Sequence, residues 1–227
     1  MTDVVVLLSG GLDSTTLCHL AMKQGRLHSV VSAYYGQPAA MWEQHAAGEW
    51  AKKHGVQREV LHLTLPGANA MDLGAGESGP RVAPGRNLVL VAHAVAHAAA
   101  IGAREVWIGA CADDYVDYAD CRGGFVRSVS DAAGAYGVRV VAPLASHTKR
   151  GVVGLARTLG VDIAATWSCY QPGRSPEPCG TCAACVLRAS TLADAPAGTC
   201  PRCGATPGQP CHAASGYGAD HVERRSA

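Results

Sequence analysis

The run Val4-Val5-Val6-Leu7-Leu8, followed at once by Ser9-Gly10-Gly11-Leu12-Asp13-Ser14-Thr15-Thr16, constrains this chain more than any other stretch. A continuous apolar, largely β-branched run predicts a strand buried on both faces, and the helix-competent residues from Leu17 onward predict that the Ser/Gly turn opens directly into a helix. Gly10 and Gly11 permit a tight turn and close approach of the backbone to a ligand. Ser9, Ser14 and Thr15 add hydroxyls beside the free N–H groups at the positive end of the helix dipole, so the span from Leu8 to Thr16 reads as a phosphate cradle. Asp13 alone would repel a phosphate, and its presence points to a magnesium ion held between carboxylate and phosphates. The alternative is a glycine-rich turn in which Asp13 and Ser14 merely cap a helix. No Gly-Lys-Ser/Thr follows, which excludes the P-loop of kinases and GTPases.

Downstream, the pattern repeats the same unit. Leu27 to Tyr35 predicts a second strand, Met41 to His54 a helix closed by Gly55, and Arg58 to Leu63 a third strand. Residues 66–85 are Gly- and Pro-rich without periodicity and predict a mobile loop beside a site. Helices are expected over Leu88–Ile101, Phe125–Tyr136 and Lys149–Leu159, with strands over Glu105–Ala110 and Val138–Val141 between them. Alternation of this kind predicts an α/β fold, a Rossmann-like parallel sheet with helices on both faces, with ligands at the carboxyl ends of the strands.

From Ser168 the character changes to Cys, Pro and Gly, with one short helix near Ala183–Leu192. The expected organisation is an ATP-binding α/β domain over 1–165, a zinc-binding segment over 166–194 packed on it, and a small zinc-finger-like tail over 195–227. Seven of ten cysteines fall after position 168. Cys169, Cys179, Cys182 and Cys185 form a Cys-x9-Cys-x2-Cys-x2-Cys array, and four soft thiolates at such spacing suit a closed tetrahedral zinc site. An iron–sulfur cluster and disulfides are the rivals. The net charge of +1 supplies no basic field for nucleic acid, and no apolar run is long enough to span a bilayer. The expectation is a cytoplasmic protein.

Ser-Gly-Gly-x-Asp-Ser resembles the signature of the PP-loop ATP pyrophosphatases, which cleave ATP between its α and β phosphates and place AMP on a substrate oxygen. Further stretches narrow the likeness: Tyr35-Gly36-Gln37, Pro84-Gly85-Arg86-Asn87, Asp113-Asp114-Tyr115-x-x-Tyr118-x-Asp120-Cys121-Arg122, Pro143-Leu144 ahead of Lys149, and Trp167-Ser168-Cys169-Tyr170 before the cysteine array. In collinear order over roughly residues 3–192 the chain resembles the 7-cyano-7-deazaguanine synthase family, often called QueC. That resemblance implies ATP-driven conversion of 7-carboxy-7-deazaguanine and ammonia to the nitrile through an adenylated carboxylate and an amide. It implies catalytic roles for Ser9, Asp13, Ser14, Arg86 and Lys149, and substrate contacts from Tyr35, Gln37, Asn87, Asp114, Tyr118, Asp120 and Arg122. ATP, Mg2+ and Zn2+ are the cofactors it implies, and a homodimer the assembly. No glutaminase signature is present, so free ammonia is the expected nitrogen donor.

Members of that family usually carry a basic residue and often His directly after Tyr-Gly-Gln, with a Glu a few residues on. Here Pro38 and Ala39 follow Gln37, the nearest acid and base are Glu43 and His45, shifted by one or more positions, and His45 is the candidate stand-in. The tail lies outside the family pattern: Cys200, Cys203, Cys211 and either His212 or His221 would complete a second zinc site, similar to small modules on phage and actinobacterial proteins. Such a module would touch nucleic acid or a partner protein, and it raises phage-type DNA modification as a destination besides tRNA. His93 and His97, at i, i+4, read as a satisfied or solvent-facing pair rather than metal ligands. Two other readings remain: an adenylating ligase that stops at the amide or uses another amine, and a non-catalytic zinc and nucleic-acid binding module that keeps only the fold.

Overall fold

Alternation along β1 (Val4–Leu7) decides the layering, because successive side chains leave a strand on opposite faces. Val4 and Val6 enter one apolar cluster, and Val5 enters another. A computed structural model describes residues 3–65, 83–173 and 177–194, and the backbone of 212–213 and 216–217. After β1 come α1 (Leu12–Lys23), β2 (Leu27–Tyr34), α2 (Ala40–His54), β3 (Gln57–His62), α3 (Arg86–Ala100), β4 (Glu105–Trp107), α4 (Asp114–Asp117), a 3-10 turn (Ala119–Cys121), α5 (Gly123–Gly134), β5 (Arg139–Val141), α6 (Lys149–Thr158) and α7 (Ala183–Asp194). The five strands pair in parallel in the order β3-β2-β1-β4-β5.

Helices cover both faces, as the alternating pattern predicts. Leu17, Cys18 and Ala21 of α1, Ala47 and Trp50 of α2 and Val152 of α6 pack on Val4, Val6 and Val30. On the other face Val91, Ala94, Val95 and Ala98 of α3 and Ala133 of α5 pack on Val5, Val31, Val106 and Val140. Sheet order turns back at β1, whose neighbours β2 and β4 lie on opposite sides. That places a crevice at the carboxyl end of β1, where open α/β sheets take their ligands.

At the opposite end, Glu105 is buried at the start of β4 and tied to Arg139, to Arg26 at 2.9 Å and to Trp107 Nε1 at 2.8 Å. Burial would lift its carboxyl, but these partners hold it below the ordinary range.

Several boundaries differ from expectation. Arg86 and Asn87 open α3 rather than precede it. Strand β4 stops at Trp107, although Ile108 N–H still donates to Val141 O at 3.0 Å, and the 111–122 motif contains α4 and the 3-10 turn. Most of the Gly/Pro-rich 66–85 stretch, and Cys200, Cys203, Cys211 and His221, lie outside the described residues. Two short strands, β6 (His212–Ala213) and β7 (Gly216–Tyr217), pair antiparallel.

Candidate active site

The turn from β1 into α1 is held by its own hydroxyls. Ser9 and Ser14 Oγ atoms lie 3.1 Å apart, Ser9 Oγ accepts from Gly11 N–H at 3.3 Å, and Ser14 Oγ donates to Gly11 O at 3.1 Å. No side chain caps α1 at Gly11, so the first-turn N–H groups remain for an anion. Gly10 has φ +81°, and a Cβ there would meet Glu43 O at 2.7 Å. Gly109, after β4, gives room to the helix start: a Cβ would sit 3.3 Å from Ser14 N.

This turn forms one wall of a cavity of about 530 Å³. Leu8, Ser9, Gly11, Leu12, Asp13 and Ser14 reach it. Thr15 and Thr16 do not: both are buried, and the Thr16 hydroxyl goes back to Leu12 O at 2.7 Å. Gly10 is also off the wall and serves the turn's shape.

Lys149, first residue of α6, reaches across to Asp13 Oδ2 at 2.5 Å and Asp114 Oδ1 at 3.0 Å. Its backbone N–H donates to Asp113 Oδ2 at 2.7 Å. Burial alone would lower the ammonium pKa, but Asp13, Cys111 and Asp114 drive it well above the usual lysine value, so Lys149 stays charged. Asp13 moves upward because desolvation outweighs Lys149, with Asp114 adding repulsion. Two carboxylates therefore share one ammonium.

Arg86 is enclosed at the start of α3, yet Tyr35 and Asp120 hold its pKa above the ordinary value against desolvation. Asn87 donates to Cys121 Sγ at 3.9 Å, and burial pushes the Cys121 thiol up to about 12, so that thiol stays neutral. Tyr118 and Tyr170 also border the cavity, and burial and Tyr118 lift the Tyr170 phenol.

Most expected positions thus converge: Tyr35, Gln37, Arg86, Asn87, Asp114, Tyr118, Asp120 and Lys149 all line this one cavity. Arg122 does not; it is exposed at the N-cap of α5, and its Nε donates to Tyr115 O at 2.9 Å. Gln37 lines the wall but its amide is committed, accepting from Tyr35 N–H at 2.9 Å and donating to Ala33 O at 3.2 Å and Glu43 Oε2 at 2.8 Å. His45 is exposed and off the wall, whereas Glu43 is on it. His93 and His97 lie elsewhere on α3, with His97 Nε2 3.2 Å from Ser29 Oγ.

The segment that carries the four cysteines borders the cavity through Trp167, Ser168, Tyr170, Ala183 and Leu187. The Sγ atoms of Cys169, Cys179, Cys182 and Cys185 all lie within 4.8 Å of one another, a donor set that suits a metal ion. Trp167 N–H donates to Gly10 O at 2.9 Å, and its ring stacks on Trp42 with centroids 5.1 Å apart. Arg188 of α7 donates to Thr166 Oγ1 at 2.8 Å, Ser168 Oγ at 2.9 Å and Ile163 O at 2.5 Å. The cysteine cluster is in this way fastened to the turn between β1 and α1. Trp42 carries no motif of its own; Arg188 ends the cysteine array, and Glu43 is visible in the sequence only as the acid displaced from the family segment after Tyr35-Gly36-Gln37.

Among the described residues no helix is long and apolar enough to cross a membrane. Residues 3–196 match the family described as "Queuosine biosynthesis protein QueC". The 7-cyano-7-deazaguanine synthase of Anaeromyxobacter sp. is 39% identical over 221 residues, covering 84% of this chain and 91% of that one. Its counterpart in Kineococcus radiotolerans is 37% identical with 84% and 93% covered, and that of Legionella pneumophila 37% identical with 83% and 91% covered. A phosphate-type turn, a carboxylate-flanked lysine and a four-cysteine clasp around one cavity agree with these matches, and the chain belongs to the QueC family.

Proposed function

We propose that this protein is an ATP-dependent ligase that converts 7-carboxy-7-deazaguanine and ammonia to 7-cyano-7-deazaguanine. The observation that carries the reading is the uncapped start of α1 facing a cavity that also holds Arg86 and the Lys149 ammonium set between Asp13 and Asp114, so that anion donors and a carboxylate pair suited to a cation border one pocket. A carboxylate oxygen is a poor leaving group, and adenylation removes that obstacle.

The substrate carboxylate attacks the α-phosphorus of ATP, and the α–β bond breaks with its electron pair leaving on pyrophosphate. First-turn N–H groups of α1, with Ser9 and Ser14, take up that charge. Lys149 and Arg86 face the α-phosphate and the carboxylate and hold them in line. Ammonia then displaces AMP and loses a proton to give the amide. A second ATP adenylates the amide oxygen, and departure of AMP with loss of the remaining N–H protons leaves the nitrile. Positioning and charge neutralisation each contribute several kcal/mol.

Asp13 and Asp114, with one ammonium between two carboxylates, carry surplus negative charge that fits a magnesium ion arriving with ATP. That ion would supply neutralisation at the departing pyrophosphate. Cys169, Cys179, Cys182 and Cys185 would hold zinc in a closed structural site, leaving no open position for chemistry.

Mass spectrometry of small molecules after incubating the protein with ATP, magnesium, ammonium and 7-carboxy-7-deazaguanine tests the reading. Nitrile with two AMP per turnover is expected. Amide as the end product would truncate the reaction, and no AMP would overturn the enzyme reading.

A further inference from the structure

Five carboxylates border the cavity, and three are bound directly among the described residues. Asp13 and Asp114 pair with Lys149, and Asp113 accepts the Lys149 backbone N–H. Asp120 and Glu43 both sit in the field of Arg86. Glu43 is the one held in place by a neighbour: its side chain makes no ion pair among the described residues, and its one hydrogen bond there is the 2.8 Å contact from Gln37 Nε2 to Oε2.

That contact is rigidly aimed. Gln37 Oε1 accepts the Tyr35 N–H, which fixes the amide's orientation, and both Nε2 hydrogens are then spent on Ala33 O and Glu43. A carboxylate has about four lone-pair sites, so Oε1 and the second lone pair of Oε2 remain to accept a pair of donors side by side. The backbone beneath is equally constrained, because Glu43 O lies only 2.7 Å from where a Cβ on Gly10 would be. Burial already disfavours the bare anion, lifting its pKa against the pull of Gln37 and Arg86, so a ligand donating two N–H groups relieves a desolvated charge.

We infer that Glu43, oriented by Gln37, is the specificity residue that accepts the N1–H and 2-amino donors of the substrate's 2-aminopyrimidinone edge. This rests on the proposed function. Adenine does not fit the same acceptor, since its 6-amino donor lies beside the N1 lone pair, which would face carboxylate oxygen.

The test is steady-state kinetics on the full chain with 7-carboxy-7-deazaguanine and with its 2-desamino analogue, for wild type, Glu43→Gln and Glu43→Asp. Glu43→Gln should raise KM for the full substrate by about 10- to 100-fold, the scale of a hydrogen bond to a charged group, with KM for ATP and ammonium within about twofold. Wild type should discriminate against the analogue by a similar factor, and Glu43→Gln should lose that discrimination. Glu43→Asp, which keeps the charge and serves if the Gln variant fails to fold, should retain part of it. Equal losses on both substrates, or a KM rise confined to ATP or ammonium, would overturn the assignment while leaving the ligase reading intact. No nitrile from wild type would overturn both.

Discussion

Lys149 does what two carboxylates alone could not: it keeps Asp13 and Asp114 together at the wall of the cavity. Replacing it by methionine removes the charge and keeps the apolar stem. Lys149→Met should lower AMP release at least about 100-fold, the loss expected when a preorganised charge is removed from a developing anion. AMP release within about tenfold of wild type would take Lys149 out of the chemistry.

Glu43 makes the opposite trade. Its folded pKa lies above the ordinary 4.5 because burial outweighs Gln37 and Arg86, so the folded protein holds a proton that the unfolded chain has released. That stability is complete below the ordinary value and is lost as pH rises through the raised one. Glu43→Gln lacks this loss. Urea midpoints should therefore converge below about pH 4.5 and separate in favour of Glu43→Gln as pH rises toward neutrality. A gap independent of pH would contradict the burial of this carboxylate.

Elements meet at the turn between β1 and α1 with little tolerance, and two glycines of the same backbone conformation show it. Gly10 (φ +81°) presses on Glu43 O and Ala46 Cβ of α2, whereas a Cβ added to Gly25 (φ +65°) would meet nothing within 4 Å. Gly25→Ala should cost about 1 kcal/mol, the left-handed strain alone. Gly10→Ala adds a collision between α2 and the turn, with an expected cost of about 2–4 kcal/mol and loss of ATP turnover. Thermal melts and AMP release of the two variants check this; equal costs would mean that α2 gives way freely.

Seen across the whole molecule, the cysteine clasp borders the cavity from a segment more than 150 residues downstream of the turn it touches. Trp167 on Gly10, Trp42 on Trp167, and Arg188 on Thr166 and Ser168 connect the two. Metal removal should accordingly act on the site as well as on stability. Elemental analysis should find zinc, and Cys182→Ser should lose one equivalent per chain, with a lower Tm and reduced AMP release, because metal binding at such sites is part of the folding free energy. Iron with visible absorbance would replace zinc by a cluster, and unchanged metal content would exclude these four cysteines as ligands.

Legible from the chain alone were the alternation of strands and helices, the two-faced core, the strand–turn–helix at Ser9–Ser14 and the grouping of the four cysteines. Each is written in local chemistry: the period of Val4 to Leu8, the glycines after it, the spacing of Cys179, Cys182 and Cys185. Which partners these residues keep depends on how distant segments pack. Arg122 stands next to Cys121 in the chain yet points out to solvent at a helix cap, while Glu43, without a motif, is brought against the turn at Gly10. Gln37, read in the sequence as a substrate contact, lines the cavity and also braces a neighbouring carboxylate. The physical reason is that a residue's type and spacing set which bonds it can make, but burial and the competition among nearby donors and acceptors set which bonds it keeps, and those exist only once distant segments have packed.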